Sequence, residues 1–145
     1  MANPATGMKS FAASIAIKAR PENIWAILTD ASVYSSLDPA IARVEGRIAA
    51  GERVVVHASG RSFKLWVTTF EPNQRMVWSG GMPLGLFRGV RTYTLTAAGS
   101  GVVDFTMREV FSGLMAPLIV RSIPDLQPSF DTFATNLKRR AESTR

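Results

Sequence analysis

Cysteine is absent from the 145 residues, which rules out disulfides, thiolate metal sites and cysteine nucleophiles. Histidine is nearly absent: His57 stands alone, so a histidine metal cluster is impossible, and the scattered carboxylates show no ligand spacing. No metal and no organic cofactor is expected. No apolar run approaches the roughly 18 residues that a membrane-spanning helix needs. The opening "MANPATGMKSF" has no apolar stretch behind basic residues, so no secretory leader is expected, and a cytoplasmic location fits the missing cysteine. Repeats, low-complexity tracts and linkers are missing too, which predicts one domain over 8–145 behind a loose tail at 1–7.

Acidic residues are in short supply. Against 17 Lys and Arg stand 11 Asp and Glu, a net charge of +6, which raises nucleic acid or an anionic surface as a partner. The only basic run is "KRR", Lys138–Arg140, near the end of the last helical segment, where cations suit the helix dipole. Other cations are scattered without interleaved aromatics, so no nucleic-acid partner is expected. What is plentiful is apolar: 46% of residues, with 19% charged, the composition of a soluble globular domain with a real core.

"SFAASIAIKA" (Ser10–Ala19) reads as a strand, with Phe11, Ile15 and Ile17 on one parity. In "KARPENIWAILTD" Pro21 suits a first helical position, and Ile24, Trp25, Ile27 and Leu28 form an apolar stripe. That helix is too short to stand alone and must clasp the sheet, with Trp25 as its anchor. "DASVYSSLDP" predicts a second short helical segment ending before Pro39. From Ile41 to Phe111 six strands follow in series, turning at Gly51, at "EPNQ" and at "AGSG". After Gly113 the period becomes helical. A short apolar segment, "LMAPLIVRSIP", precedes a long amphipathic helix with Leu126, Phe130, Phe133, Ala134, Leu137 and Ala141 on one face. Strands in series argue for one antiparallel sheet, the only surface large enough to bury that stripe.

This order resembles the START-like, or Bet v 1-like (SRPBCC), helix-grip superfamily, and within it the bacterial polyketide cyclase/dehydrase and lipid-transport group. The resemblance spans roughly Lys9 to Glu142 and rests on "ARPENIWAILTD", "FEPNQRMVWS", "YTLTAAGSGVVDFTMREVFSG" and "FDTFATNLKRRAE" in that sequence. It implies an α+β fold: a curved antiparallel sheet of about six to seven strands gripping the C-terminal helix, with two short helices after the first strand. It also implies an apolar cavity between sheet and helix. Relatives bind lipids, hormones or polyketides, and some catalyse, with no shared catalytic set. Many relatives carry tryptophan before the proline where this chain has "LDP", so Leu37 is a departure.

The last hairpin supports an inference of its own. Val103, Phe105, Met107, Glu109 and Phe111 share one parity, opposite to the wet Asp104, Thr106 and Arg108, so Glu109 points inward. With the loop at Gly99–Gly101, Arg91 falls opposite Glu109, Tyr93 opposite Met107 and Leu95 opposite Phe105. The pair is either an ion pair at the wide end of the sheet or a polar anchor for a ligand in an apolar pocket. The candidate lining is Leu65, Val67, Trp78, Arg91, Tyr93, Phe105, Met107 and Glu109 from the strands, with Leu118, Phe130, Phe133 and Leu137 from the helical segments. In the glycine-rich "SGGMPLGLFRG", which lacks the Lys-Ser/Thr of a phosphate loop, Met82, Leu84 and Leu86 are candidates for a flexible apolar entrance. His57 sits in a strand of no clear parity, with no motif to make it a base for any serine.

Three functions follow. The first is binding of a small hydrophobic molecule such as a lipid, an isoprenoid or a polyketide. The second is a metal-free cyclase or dehydratase using Glu109, Tyr93 or Arg91 for acid–base work. The third is a protein-interaction module with a filled core.

Overall fold

The computed structural model describes residues 9–143; the tail expected at 1–7 lies outside them. Seven strands form one wholly antiparallel sheet: β1 (Lys9–Ile17), β2 (Ile41–Glu45), β3 (Arg53–Ala58), β4 (Arg61–Glu71), β5 (Arg75–Met82), β6 (Phe87–Gly99) and β7 (Val102–Ser112). Their order across the sheet is β1-β7-β6-β5-β4-β3-β2, so the first strand joins the far end of a six-strand meander. Bulges between Ile41 and Arg43, between Val67 and Thr69, and between Ala97 and Gly99 let the sheet curl. Gly80 marks a close approach of two strands, because a Cβ there would stand 2.4 Å from the Lys64 carbonyl oxygen.

The helices are α1 (Pro21–Leu28), α2 (Tyr34–Leu37), α3 (Ala116–Ile119) and α4 (Gln127–Ser143), with single 3-10 turns before α2 and after α3. Pro21 opens α1, and Asp30 caps the turn that follows by accepting the Ser32 N–H at 3.0 Å. Ile24, Trp25 and Leu28 bury the stripe of α1, with the Trp25 ring edge-on to Phe70 at 5.3 Å. Long α4 lies along the concave face beside β1, burying Phe130, Phe133, Ala134, Leu137 and Ala141. It also covers the edge of β1: Gln127 Nε2 donates to Ala12 O at 2.7 Å, Lys138 Nζ to Ala16 O at 3.1 Å, and Lys18 N to Glu142 Oε2 at 2.8 Å. Asn136 Nδ2 donates to Leu37 O at 3.0 Å and fixes α2, where Leu37 is buried core.

This is the helix-grip architecture. Two boundaries differ from the sequence reading. The stretch "IARVEGRIAA" reads as one strand before the turn at Gly51, but β2 stops at Glu45, because Gly46 turns at a φ of +100°. The segment after β7 is one helical turn, with Ala116 facing in and Leu118 out.

Candidate functional site

The concave face is built in rows across the strands. One row runs from Phe11 of β1 through Glu109 of β7 and Arg91 of β6 to Trp78 of β5 and Val67 of β4. The expected register of the last hairpin holds: Arg91 lies opposite Glu109, Tyr93 opposite Met107 and Leu95 opposite Phe105. Arg91 Nε donates to Glu109 Oε1 at 2.9 Å, and Nη2 donates to the same oxygen. Glu109 Oε2 lies over Gly89, 3.6 Å from where a Cβ would stand. The Arg91 guanidinium sits 5.0 Å from the centre of the Phe130 ring, a cation–π contact that carries α4 onto the pair.

Beside the pair stands Tyr93, fully buried. Its hydroxyl makes no well-formed hydrogen bond among the described residues, although Arg91 and Tyr34 lie within hydrogen-bonding reach and Glu109 acts on it electrostatically. Burial pushes the Tyr93 phenol above its ordinary 10.0, with Arg91 pulling the other way. Tyr34 is pushed well above that value, again by burial first and by Tyr93 second, and its hydroxyl donates to the Leu28 carbonyl. For Arg91 burial works against the charge, but the Glu109 carboxylate and the Tyr93 hydroxyl outweigh it and hold the guanidinium charged.

Trp78, Tyr34, Tyr93, Phe105 and Phe133 form a chain of touching rings with centroids 5.5–6.3 Å apart. With Val67, Met107 and Leu137, these side chains are buried and pack the middle of the molecule. The centre is thus ring against ring, and the expected lining residues here form packed core. Toward the start of α4 the packing changes. The next row is Phe111, Gly89, Gly80, Leu65 and Val54, in which two directly paired glycines let the Phe111 ring and the Leu65 side chain lie down onto the sheet. Phe63 shares the inward register of Val56 yet is 45% exposed, so the corner of the concave face beside the β3–β4 turn stays open while α3 packs on β6. The Arg91 and Glu109 side chains, 18% and 13% exposed, lie where the packed interior meets this opening.

The remaining candidates separate by location. Leu65 is half-buried beside the glycine pair. Leu118 is a correction: it sits on the outer side of one-turn α3, 63% exposed, and lines no interior surface. Met82 and Leu84 are exposed at the rim and Leu86 is half-buried. Their loop is tied to the chain after β7 by Met115 N donating to Leu86 O at 2.7 Å and Leu114 N to Gly85 O at 3.2 Å. His57 is on the convex face, away from this site. Its Nδ1 meets Ser62 Oγ at 2.9 Å, and Nε2 lies 3.3 Å from Glu45 Oε1, poorly aligned for a hydrogen bond. An open cleft of about 270 Å³ between α2 and α4, lined by Ser36, Leu37, Asn136, Arg139, Arg140 and Ser143, also lies outside the sheet's hollow. Among the described residues no three His, Asp or Glu side chains gather to hold a metal. Sequence reasoning missed Tyr34, which only the fold brings onto Trp78. It also missed the Gly80–Gly89 pair, which parity with Trp78 and Arg91 would have found.

Known proteins place this geometry. No curated protein matches the sequence. Among solved structures, the Zhui aromatase/cyclase from a Streptomyces species superposes with a TM-score of 0.73 at 12% identity, covering 95% of this chain and 96% of that one. A truncated norcoclaurine synthase from Thalictrum flavum gives 0.69 at 15% identity, covering 93% and 94%. A START superfamily protein from Mycobacterium smegmatis gives 0.65 at 15% identity, covering 95% and 99%. These likenesses establish the START-like fold. A family model spanning residues 8–142 matches as well, and with nearly every element inside it the chain belongs to the polyketide cyclase/dehydrase and lipid transport family.

Proposed function

We propose that this protein binds a small hydrophobic molecule of lipid, isoprenoid or polyketide type. The apolar body lies at the open corner of the concave face, against Phe63, Leu65 and the Phe111 ring beside the Gly80–Gly89 pair. Its oxygen-bearing end meets Arg91, Glu109 and Tyr93. The observation that carries this reading is the charged pair with an unpartnered buried hydroxyl beside it, set where an aromatic interior opens to solvent. A ligand carbonyl or hydroxyl would supply the partner that Tyr93 lacks, and buried polar groups are seldom left unpaired without a reason. The family's name and that of the Streptomyces aromatase/cyclase support a ligand of this class.

A second reading, an acid–base reaction of cyclase or dehydratase type, places the same residues in chemical roles. One observation favours it: the Tyr93 hydroxyl feels both Arg91 and Glu109, so a proton donor and a carboxylate share one corner. Native mass spectrometry of protein purified from cells tests binding. A co-purifying hydrophobic molecule is expected, diminished in Glu109→Gln by more than the fall in melting temperature accounts for. Gln keeps an acceptor for Arg91 Nε but removes the charge that offsets its burial, so its cost is about 1–3 kcal/mol. A large fall in melting temperature with the ligand retained would make the pair purely structural and overturn the reading. Turnover of an added polyketide intermediate that vanishes in Glu109→Gln would select the enzyme.

A further inference from the structure

Because strands alternate in direction, the β3–β4 hairpin, the β5–β6 loop and the chain leaving β7 all lie at one end of the sheet, the open end. This end is apolar to a degree unusual for a surface in contact with water alone. Leu84 is 92% exposed, Leu114 82% and Leu118 63%, with Met82 and Phe63 nearly half exposed beside them. Backbone hydrogen bonds from Leu114 N and Met115 N to Gly85 O and Leu86 O hold the two leucine-bearing segments together as one tip.

Its charges are of one sign. No Asp or Glu occurs between Glu52 and Glu71, between Glu71 and Asp104, or between Glu109 and Asp125, the three stretches that supply the tip. Exposed Arg61, Lys64, Arg88 and Arg121 fall within them. Glu71 and Asp104, by contrast, sit at the opposite end of the sheet, at its other turns. A leucine tip whose own three segments carry exposed cations and no carboxylate matches the interface of an anionic bilayer, whose headgroups attract Arg and Lys while the acyl boundary takes the leucines. We propose that this end docks the protein on anionic lipid membranes. The surface stands on exposure and charge alone, independently of the ligand reading. It opens the concave face toward the bilayer, so a lipophilic molecule would pass between the two without crossing water.

Flotation with vesicles tests the docking. The full chain is mixed with vesicles of phosphatidylcholine alone, or with about 30% phosphatidylglycerol added, at low and high salt. Binding to the anionic vesicles is expected to exceed binding to the neutral ones by at least about tenfold and to fall as salt rises. Leu84→Asp with Leu118→Asp should reduce it by a further tenfold or so. Both sites are exposed, so the melting temperature should stay unchanged, and Arg121→Glu should lower the anionic preference alone. Equal binding to both vesicles, or a double variant that floats like the wild type, would overturn the proposal. So would a wild-type dimer that the double variant dissolves with no vesicle binding, which would put a second copy of the chain on the tip.

Discussion

A buried hydroxyl without a partner costs roughly 1–3 kcal/mol relative to one that is bonded, and Tyr93 holds one. Tyr34, packed on the same aromatic cluster, does not: its hydroxyl reaches the Leu28 carbonyl at the end of α1. The two tyrosines therefore respond in opposite ways to loss of oxygen. Tyr93→Phe is expected to raise the stability of the empty protein by about 1 kcal/mol, read as a higher urea midpoint. It should also weaken ligand binding by about tenfold, the equivalent of 1.4 kcal/mol. Tyr34→Phe should lower stability by about 1 kcal/mol, because it strands a buried acceptor. Gain of stability with loss of binding is the mark of a group kept for recognition. If Tyr93→Phe destabilises instead, the hydroxyl has a partner in solution and leaves the proposed site.

Between elements, the curl of the sheet rests on small residues where strands crowd. Gly80→Ala would push a Cβ into the Lys64 carbonyl and the Leu65 side chain, and neither backbone can withdraw without breaking β4–β5 pairing. A loss of about 3 kcal/mol is expected in denaturant unfolding. Gly89→Ala differs: its Cβ would meet the Phe111 ring at 3.2 Å, a side chain able to shift by a few tenths of an ångström. That variant should fold with little loss of stability yet bind ligand more weakly, since the displaced Phe111 ring crowds the site; unchanged affinity would move the ligand away from that ring. Such contrasts mark where the sequence could be read and where it could not. The last hairpin was legible because its faces differ in polarity and its short loop fixes register, so Arg91 fell opposite Glu109 by counting. Strand parity tells which way a side chain points, not what lies above it. Phe63 and Phe105 both point inward, yet Phe105 meets Phe133 of α4 while Phe63 stays half exposed. The reach of α4, the filling of the centre by Tyr34 on Trp78 and the outward turn of Leu118 depend on packing between segments distant in sequence, which no local pattern encodes.

Taken whole, the molecule is packed solid at one end and in the middle and open at the other, and the packed part couples folding to alkaline pH. Trp25 on Phe70 and the Lys18–Glu142 hydrogen bond fasten the far end, and the aromatic cluster holds both tyrosines away from water. Burial raises the pKa of each phenol in the folded protein above the ordinary 10.0. Below that pH both states keep the two protons, and the tyrosines make stability neither rise nor fall. Above it the unfolded chain releases protons that the folded chain retains. The unfolded state then binds fewer protons, and the free energy of unfolding falls as pH rises. Each tyrosine contributes a slope of up to about 1.4 kcal/mol per pH unit until its folded pKa is reached. Urea midpoints between pH 8 and 11 should therefore drop steeply beyond 10 in the wild type. The double variant Tyr34→Phe, Tyr93→Phe isolates the effect from lysine titration and should show a shallower decline. Parallel profiles for the two proteins would mean that the phenols ionise freely in the folded state, and that the centre of the molecule is wetter than its packed rings imply.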